Sequence, residues 1–556
     1  MPVTSPNLFK PSYPVAGSQP TAEPAQFSEA LSAWAEAIGA AYVDVATPIL
    51  DRYGRTTGPR AARPLAVLHP DSAAQVQQIV KIAARFGIGI HAISRGKNWG
   101  YGDAAPTCAN QVLVDLGRMN RIVELNDKLG YVVLEPGVTQ KQLYDYLQEH
   151  APNWWMDVTG AGLDTSIIGN TLDRGFGHTR YGDHSLTTCG LEVVLGDGRM
   201  LKTGLGHYEN ARANRAYRHG VGPNLEGIFT QSNFGIVTEM GIYLMPKPEA
   251  FSAFFIAAPR ESDLPELIDA LAKLRMQGLL QSAIHIANDL RAISGRVRYP
   301  WDRAGQTTPL PADLRRTLRS ECAVGAWNVC GAISGRHATV AGTQRALKKA
   351  LPNHRVIFLN DRKIQVAERM THLLGKLGLC KVLSSRLEIV KPVYGLLKGI
   401  PSNEPLRGAS WRVRDAEPQH PTDPLDCHAG LMWIAPILPA DGPVAAAAVS
   451  MMEPIYQKHG FDTLLTLTFV TERALCCVSN ISFDRRRPDE AARAQECYHE
   501  LTERLMRSGY ILYRSSPQTM KTLAIGSSGF WDVSASIKQA LDPQGILSRG
   551  RYEPAA

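Results

Sequence analysis

The sequence predicts an α/β (α+β) protein of two domains. Strand-like and helix-like runs alternate from Arg63 onward, the order of β-α-β units. At 556 residues the chain exceeds what one ordinary hydrophobic core organises. After Pro248 the texture changes and a second strand–helix series begins. We expect an arm and helix over 1–60, a first α/β domain over 61–246, a second over 247–500, and a C-terminal segment over 501–556.

The N-terminus, "MPVTSPNLFKPSYPVAGSQP", has four prolines by residue 14 and no apolar core. It reads as an extended arm, either disordered or docked on a partner subunit, and not as a secretory signal. "FSEALSAWAEAIG" is helical. "PLAVLHP" reads as a strand and "DSAAQVQQIVKIAARFG" as a helix, with Asp71 or Ser72 as N-cap and Gly87 as terminator. "IGIHAI", "QVLVDLG" and "YVVLEPGV" are strands, and "TQKQLYDYLQEH" is a helix capped by Thr139. "GLEVVLGDGRML" is a hairpin turning at Gly196-Asp197-Gly198, and "SNFGIVTEMGIYLMPKP" closes the region. Beyond it, "FSAFFIAA", "DLPELIDALAKLRMQG", "GLMWIAPIL", "AAVSMMEPIYQKHG" and "DTLLTLTFVT" repeat the theme. A helix from Leu501 leads into "GYILYRSSPQTM", and "IKQALDPQGILSRGRYE" is a helix, a stop and a terminal strand or loop.

Composition excludes several classes. A net charge of +8 is mild for this length and fits an acidic partner or an anionic cofactor. The one dense basic run, "DRRRP" at Asp484 to Pro488, reads as a solvated loop, so no nucleic-acid partner is indicated. The nine cysteines form no CxxC or CxxCH, which leaves zinc fingers and attached c-type haem unsupported, and no metal site is expected. No apolar run has the length of a membrane span. The compartment stays open.

Two stretches ask for a ligand. In "SRGKNWGYG", Gly96, Gly100 and Gly102 free the backbone, and Ser94, Arg95, Lys97 and Asn98 add donors. The loop lacks GxxxxGK[ST] and GxGxxG, so neither a P-loop nor a classical dinucleotide turn is indicated. Alone it is either a charged turn or a phosphate cradle. "SIIGNTLDRGFGHTRYGDH", Ser166 to His184, adds Gly169, Gly175, Gly177 and Gly182. It is either a long surface loop or backbone wrapped around a flat or diphosphate ligand. Both in one α/β domain make a single large dinucleotide the economical explanation.

"SRGKNWGYG", "LEPGVT", "IIGNTLDRGFGHTRYGDH" and "FTQSNFGIVTEMGI", with "LYR" at Leu512 to Arg514 and "ALDPQGILSRG", resemble the flavoprotein family of vanillyl-alcohol oxidase, eugenol oxidase and 4-cresol dehydrogenase. The similarity runs from about residue 60 to 551. It implies an FAD domain completed by the C-terminal tail, with the second domain as a cap over the flavin. Ser94 to Asn98 would bind the diphosphate, and Pro136, Gly137 and Val138 the adenine end. Ser166, Gly169, Asn170, Thr171, Gly177 and Gly182 would pack along the pyrophosphate and ribityl chain. Gly235, Ile236 and Val237 would close the other side, and Arg549 and Arg551 would bring basic tail residues near the flavin. The implied substrates are para-substituted phenols, bound as phenolates by Tyr101, Tyr513 and Arg514. A free phenol has a pKa near ~10, so holding the anion at neutral pH takes roughly three units, or about 4 kcal/mol.

The chain departs from that family in instructive places. The resemblance implies an aspartate base just before "GNT", where Ala161 stands; Asp164 is three residues on. It implies a flavin-linking histidine at Leu431, with His428 and Cys427 close by but out of register. Tyr394 is the alternative attachment point, and a dissociable FAD stays open. Cys476 and Cys477 stand where a histidine pair is implied, and His178 replaces a tyrosine; we take His178 and Cys476 as candidate catalytic groups. These losses favour a dehydrogenase passing electrons to a separate cytochrome c subunit over an oxidase using O2, with a homodimeric core.

Overall fold

The computed structural model describes residues 24–59, 62–375, 381–414, 423–523 and 528–553. The N-terminal arm lies outside them. Strands β1 (Val43–Asp44), β2 (Val67–Leu68), β3 (Gly89–Ile93) and β4 (Gln111–Asp115) make a four-stranded sheet in the order β1-β2-β4-β3, with β3 and β4 parallel. The helix Ala73–Phe86 is the crossover that parallel pairing requires. Ser72 caps it by accepting from the Gln75 amide, and Gly87 ends it at φ 64°. Its buried stripe, Val76, Ile79, Val80 and Ala83, packs with Ile90 and Val112 of the sheet.

A second sheet holds β5 (Ile122–Asn126), β6 (Tyr131–Leu134), β8 (Thr188–Val194), β9 (Met200–Lys202) and β10 (Ile236–Tyr243), ordered β5-β6-β10-β8-β9. The hairpin expected at Gly196-Asp197-Gly198 joins β8 to β9, with Gly198 at φ 81°. Thr139 caps the helix Gln140–His150 as expected. Two short strands, β7 (Trp154–Trp155) and β11 (Met245–Pro246), pair separately.

Residues 250–484 build one eight-stranded sheet: β12 (Ala250–Ala258), β13 (His285–Asn288), β14 (Trp327–Gly335), β15 (Val356–Leu359), β16 (Ala429–Ile434), β17 (Ile437–Pro439), β18 (Leu464–Phe469) and β19 (Ala474–Asp484). Its order is β15-β12-β14-β13-β18-β19-β16, with β17 also on β19, and every pair is antiparallel. The side-chain period of two divides its faces. Val329, Ile286, Leu467, Cys477, Ile481 and Met432 point into the main core, against the helices Leu264–Met276, Gly442–Lys458 and Pro488–Arg507. Their alternates, among them His285, Thr468, Cys476, Asn480 and Trp433, form the opposite face. The last of those helices starts at Pro488, not at Leu501, because proline suits the first helical position and Asp489 and Glu490 favour the first turn.

The tail returns to the first sheet. Ile90 donates to the Ile546 carbonyl, and Ser548 donates to the Ile90 carbonyl, so the terminal segment runs beside β3. Arg485, in the run read as solvated, instead bonds the Ala429 carbonyl at 3.1 Å and the Thr56 carbonyl at 3.4 Å.

One fully buried residue ties three segments together. Thr57 donates through its amide (2.8 Å) and its hydroxyl (2.9 Å) to Asp103. Its hydroxyl accepts from the Gly100 amide, and its carbonyl accepts from Leu431 of β16. Burial raises the Asp103 carboxyl to about 7, against the lowering by its Thr57 bonds. A carboxyl raised on folding stabilises fully below its unfolded pKa of about 3.9, and that contribution is lost as pH rises through about 7. Asp103→Asn removes this titration. The melting temperature of the wild type relative to the variant should fall between pH 5 and pH 8; parallel profiles would contradict the buried carboxyl.

Candidate active site

The carboxyl ends of parallel strands are where open α/β sheets bind ligands, and the Ser94–Gly102 loop leaves β3 there. Four backbone segments meet at this edge. A Cβ on Gly169 would collide with Ser94 Oγ. One on Gly137 would sit 2.8 Å from the Met119 carbonyl, and one on Gly117 would sit 3.3 Å from an Arg95 guanidinium nitrogen. Ser166 Oγ accepts from the Gly169 amide and donates to the Pro136 carbonyl at 2.6 Å, which locks the second glycine-rich stretch to the "EPGV" turn. Among the described residues, nothing accepts a hydrogen bond from the amides of Gly96, Lys97 or Asn98. Amides left free of protein partners in a glycine-opened loop form an anion cradle, and this donor set fits a diphosphate.

Beside the cradle lies a charged cluster. Arg514 donates to Asp173 at 2.6 Å and to Asn98 of the loop, and its guanidinium covers the Tyr101 ring at 4.3 Å from the centroid. Arg551 donates to the other oxygen of Asp173 and to the Ser232 carbonyl. Tyr513 is stitched to the domain of the eight-stranded sheet by its amide, which donates to the Ala435 carbonyl, and to the first domain by its carbonyl, which accepts from Gln231. Its ring lies 5.9 Å from Phe176. Arg514 and Asp173 are each 9% exposed. Two guanidiniums share one carboxylate, so the cluster carries one net positive charge. Burial pushes both tyrosine hydroxyls well up; Tyr513 adds to this at Tyr101, and Arg514 pulls both back. Burial pulls the Arg514 guanidinium down, but Asp173 together with Tyr513, Tyr101 and Tyr552 raises it above its ordinary value. His91, beneath the loop, is driven to about 3 by burial and by Arg551, so it is neutral and adds no charge.

The sequence-predicted residues fall into three groups. Tyr101, Tyr513, Arg514, Arg551 and Asn98 come together, and Cys476 stands close enough to both tyrosines to bear on their ionisation. Ser94, Arg95, Gly96, Pro136, Gly137, Ser166 and Gly169 line the cradle; Val138 and Thr171 are buried behind it. Asn170 Oδ1 accepts from His184 Nδ1 at 2.7 Å, and the Gly177 amide donates to the Gly182 carbonyl across its own loop, so these three fold the second stretch on itself. Gly235, Ile236 and Val237 sit at the start of β10, where Ile236 and Val237 enter two hydrophobic clusters.

Other residues are placed elsewhere. Arg549 bonds the Gly545 and Gly87 carbonyls at the amino end of β3, away from the cradle, because the tail runs beside that strand. The Lys97 ammonium turns to Asp423 at 2.8 Å. The Tyr394 hydroxyl donates to Asp361, and its ring packs edge-on against Phe251, so it is not at the Arg514 cluster. Asp164 is exposed, His428 is exposed, and Leu431 is a buried hydrocarbon against Trp99 and Leu406. Burial drives the Cys476 thiol well above its usual range, which removes it as a base near neutral pH. His178 is half-buried, and that burial lowers its pKa. Its Nδ1 donates to the Val158 carbonyl, which leaves Nε2 as acceptor, and its ring centre lies 4.7 Å from that of His285. Asp173 and Gln231 were missed. Asp173 was legible as the acidic residue inside "TLDRGFG"; Gln231, at φ 47°, gave no signal.

The fold and cradle define a flavoprotein. Residues 64–204 match the FAD binding domain family. The chain is 35% identical over 530 residues to 1'-carboxy-chondrochloren decarboxylase of Chondromyces crocatus, covering 94% of this chain and 97% of that one. It is 30% identical over 538 residues to the flavoprotein subunit of 4-cresol dehydrogenase (hydroxylating) of Pseudomonas putida, covering 95% of each. Among solved structures, p-cresol methylhydroxylase with substrate bound superimposes with TM-score 0.85 at 29% identity, covering 96% of this chain and 98% of that one. 4-Ethylphenol oxidase from Gulosibacter chungangensis, in complex with isoeugenol, gives the same values. The chain belongs to the vanillyl-alcohol oxidase and 4-cresol dehydrogenase family of FAD-binding flavoproteins.

The cradle makes a direct prediction. Gly169→Ala drives a methyl into Ser94 Oγ, so FAD affinity should fall at least about tenfold with the circular dichroism spectrum unchanged. Unchanged affinity would contradict the placement of the diphosphate.

Proposed function

We propose that the protein oxidises para-substituted phenols, such as 4-alkylphenols, eugenol or lignan-like guaiacyl phenols, at the carbon attached to the ring. The observation that carries this is the net positive charge of the Arg514–Asp173–Arg551 cluster beside two tyrosine hydroxyls and the cradle. A phenolate supplies the missing negative charge, accepts from Tyr101 and Tyr513, and lies against Arg514. Its electrons push a hydride from the benzylic carbon, leaving a quinone methide, and FAD, when bound, is the hydride acceptor. Water then adds to the benzylic carbon. With Ala161 in place of a carboxylate, the neutral His178–His285 pair is left to take the proton from that water.

The relatives' names, 4-cresol dehydrogenase and 4-ethylphenol oxidase, support a phenolic substrate. Transfer to a separate cytochrome c subunit, with a homodimeric core, is the acceptor arrangement we favour; release of stoichiometric hydrogen peroxide would indicate O2 instead. Leu431 offers no atom for a covalent flavin bond. A flavin-binding subunit without phenol chemistry is the contrasting reading, and lack of anaerobic bleaching by any 4-alkylphenol would favour it.

Arg514→Ala should slow anaerobic flavin reduction by a 4-alkylphenol about a thousandfold, roughly 4 kcal/mol, with FAD retained. Near-normal reduction would remove Arg514 from the role given to it.

A further inference from the structure

The cap sheet carries a second polar position that the phenolate site does not use. Arg291 lies on the short helix Asp289–Ser294, and its guanidinium has no hydrogen-bond or ion-pair partner among the described residues. Its guanidinium lies 5.8 Å from the centre of the Trp433 ring. Burial alone lowers its pKa, with no nearby charge to raise it, yet the side chain keeps partial exposure. Gly408 backs it closely, since a Cβ there would sit 2.8 Å from an Arg291 nitrogen. Ala161, which packs with Trp433, ends at a methyl and supplies no counter-charge.

A second observation is independent of the first. Asn480 is 0% exposed, and neither its side-chain amide nitrogen nor its side-chain oxygen has a partner among the described residues. It pairs directly with Trp433 across β16 and β19, so both side chains stand on the same face. Buried polar groups are normally satisfied, and an unpaired buried cation costs far more than an unpaired amide. An orphan guanidinium and an orphan amide flanking one indole are what an anionic group with two acceptor oxygens would complete.

The position fits the substrate reading. Cys476, beside the two tyrosines, and Asn480 lie on the same face of β19, four residues and roughly 13 Å apart. A phenol ring with a short carboxylated chain, hydrogen-bonded at each end, fills that span. Trp433 also links the two ends, because its indole rests on Gly100, next to Tyr101.

We propose that Arg291 and Asn480 form a carboxylate subsite, and that the substrate is a phenol whose para chain carries a carboxylate. This rests on the phenol-oxidation reading above. It also accords with the relative named as acting on a carboxy compound.

The test compares 3-(4-hydroxyphenyl)propanoate with 4-propylphenol on the FAD-loaded protein, by flavin absorbance change and anaerobic reduction. The acid should bind at least about tenfold tighter than the uncharged phenol. Arg291→Met should bring that ratio to near one, and Arg291→Lys should retain part of it. Taking the ratio within each variant cancels general damage to the fold. Equal binding of both phenols by the wild type, with normal bleaching, overturns the carboxylate subsite and leaves phenol oxidation standing. Binding of neither overturns both.

Discussion

The sharing of one buried carboxylate by two guanidiniums organises this molecule. Asp173 holds Arg514 and Arg551, and the cluster keeps one surplus positive charge, which under the proposed function is what selects an anion. A balanced pair would bind a neutral phenol as readily as a phenolate, and a lone arginine would lack fixed direction. Burial reinforces the arrangement. It keeps both tyrosines protonated as donors and His91 neutral, so no other group competes for the charge.

The fold exists to bring these groups together from distant parts of the chain. Tyr101 and Asn98 come from the loop after β3, Asp173 from the glycine-rich stretch, Tyr513 and Arg514 from beyond the last cap helix, and Arg551 from the tail. Each is held by backbone bonding that does not depend on a ligand. Thr57 ties the loop to β16, Ala435 holds Tyr513, and Ile90 holds the returning tail. The eight-stranded sheet carries His285, Cys476, Asn480 and Trp433 on one face by the alternation of its strands.

Much of the frame was legible in the sequence because its signals are local. Ser72, Thr139 and Gly198 act through neighbours a few residues away, and the glycines of "SRGKNWGYG" mark backbone that must come close to something. The grouping of Tyr101, Tyr513 and Arg514 was expected only through resemblance. What escaped was set by long-range pairing. Nothing near Asp173 announces that two arginines, 341 and 378 residues away, will share it. Tyr394 and Arg549 look as available as Tyr101 and Arg551 until Asp361 and the Gly545 and Gly87 carbonyls are seen to occupy them. Arg291 and Asn480 stand out for the opposite reason, since their lack of partners shows only in three dimensions.

The most direct test is the ionisation of a phenol in the site. A 4-alkylphenol analogue that resists oxidation can be titrated with FAD-loaded protein and its ultraviolet spectrum followed against pH. The account predicts the phenolate band at pH 7, with the bound pKa about three units below the free value of about 10. A bound phenol that stays protonated up to its solution pKa would contradict it.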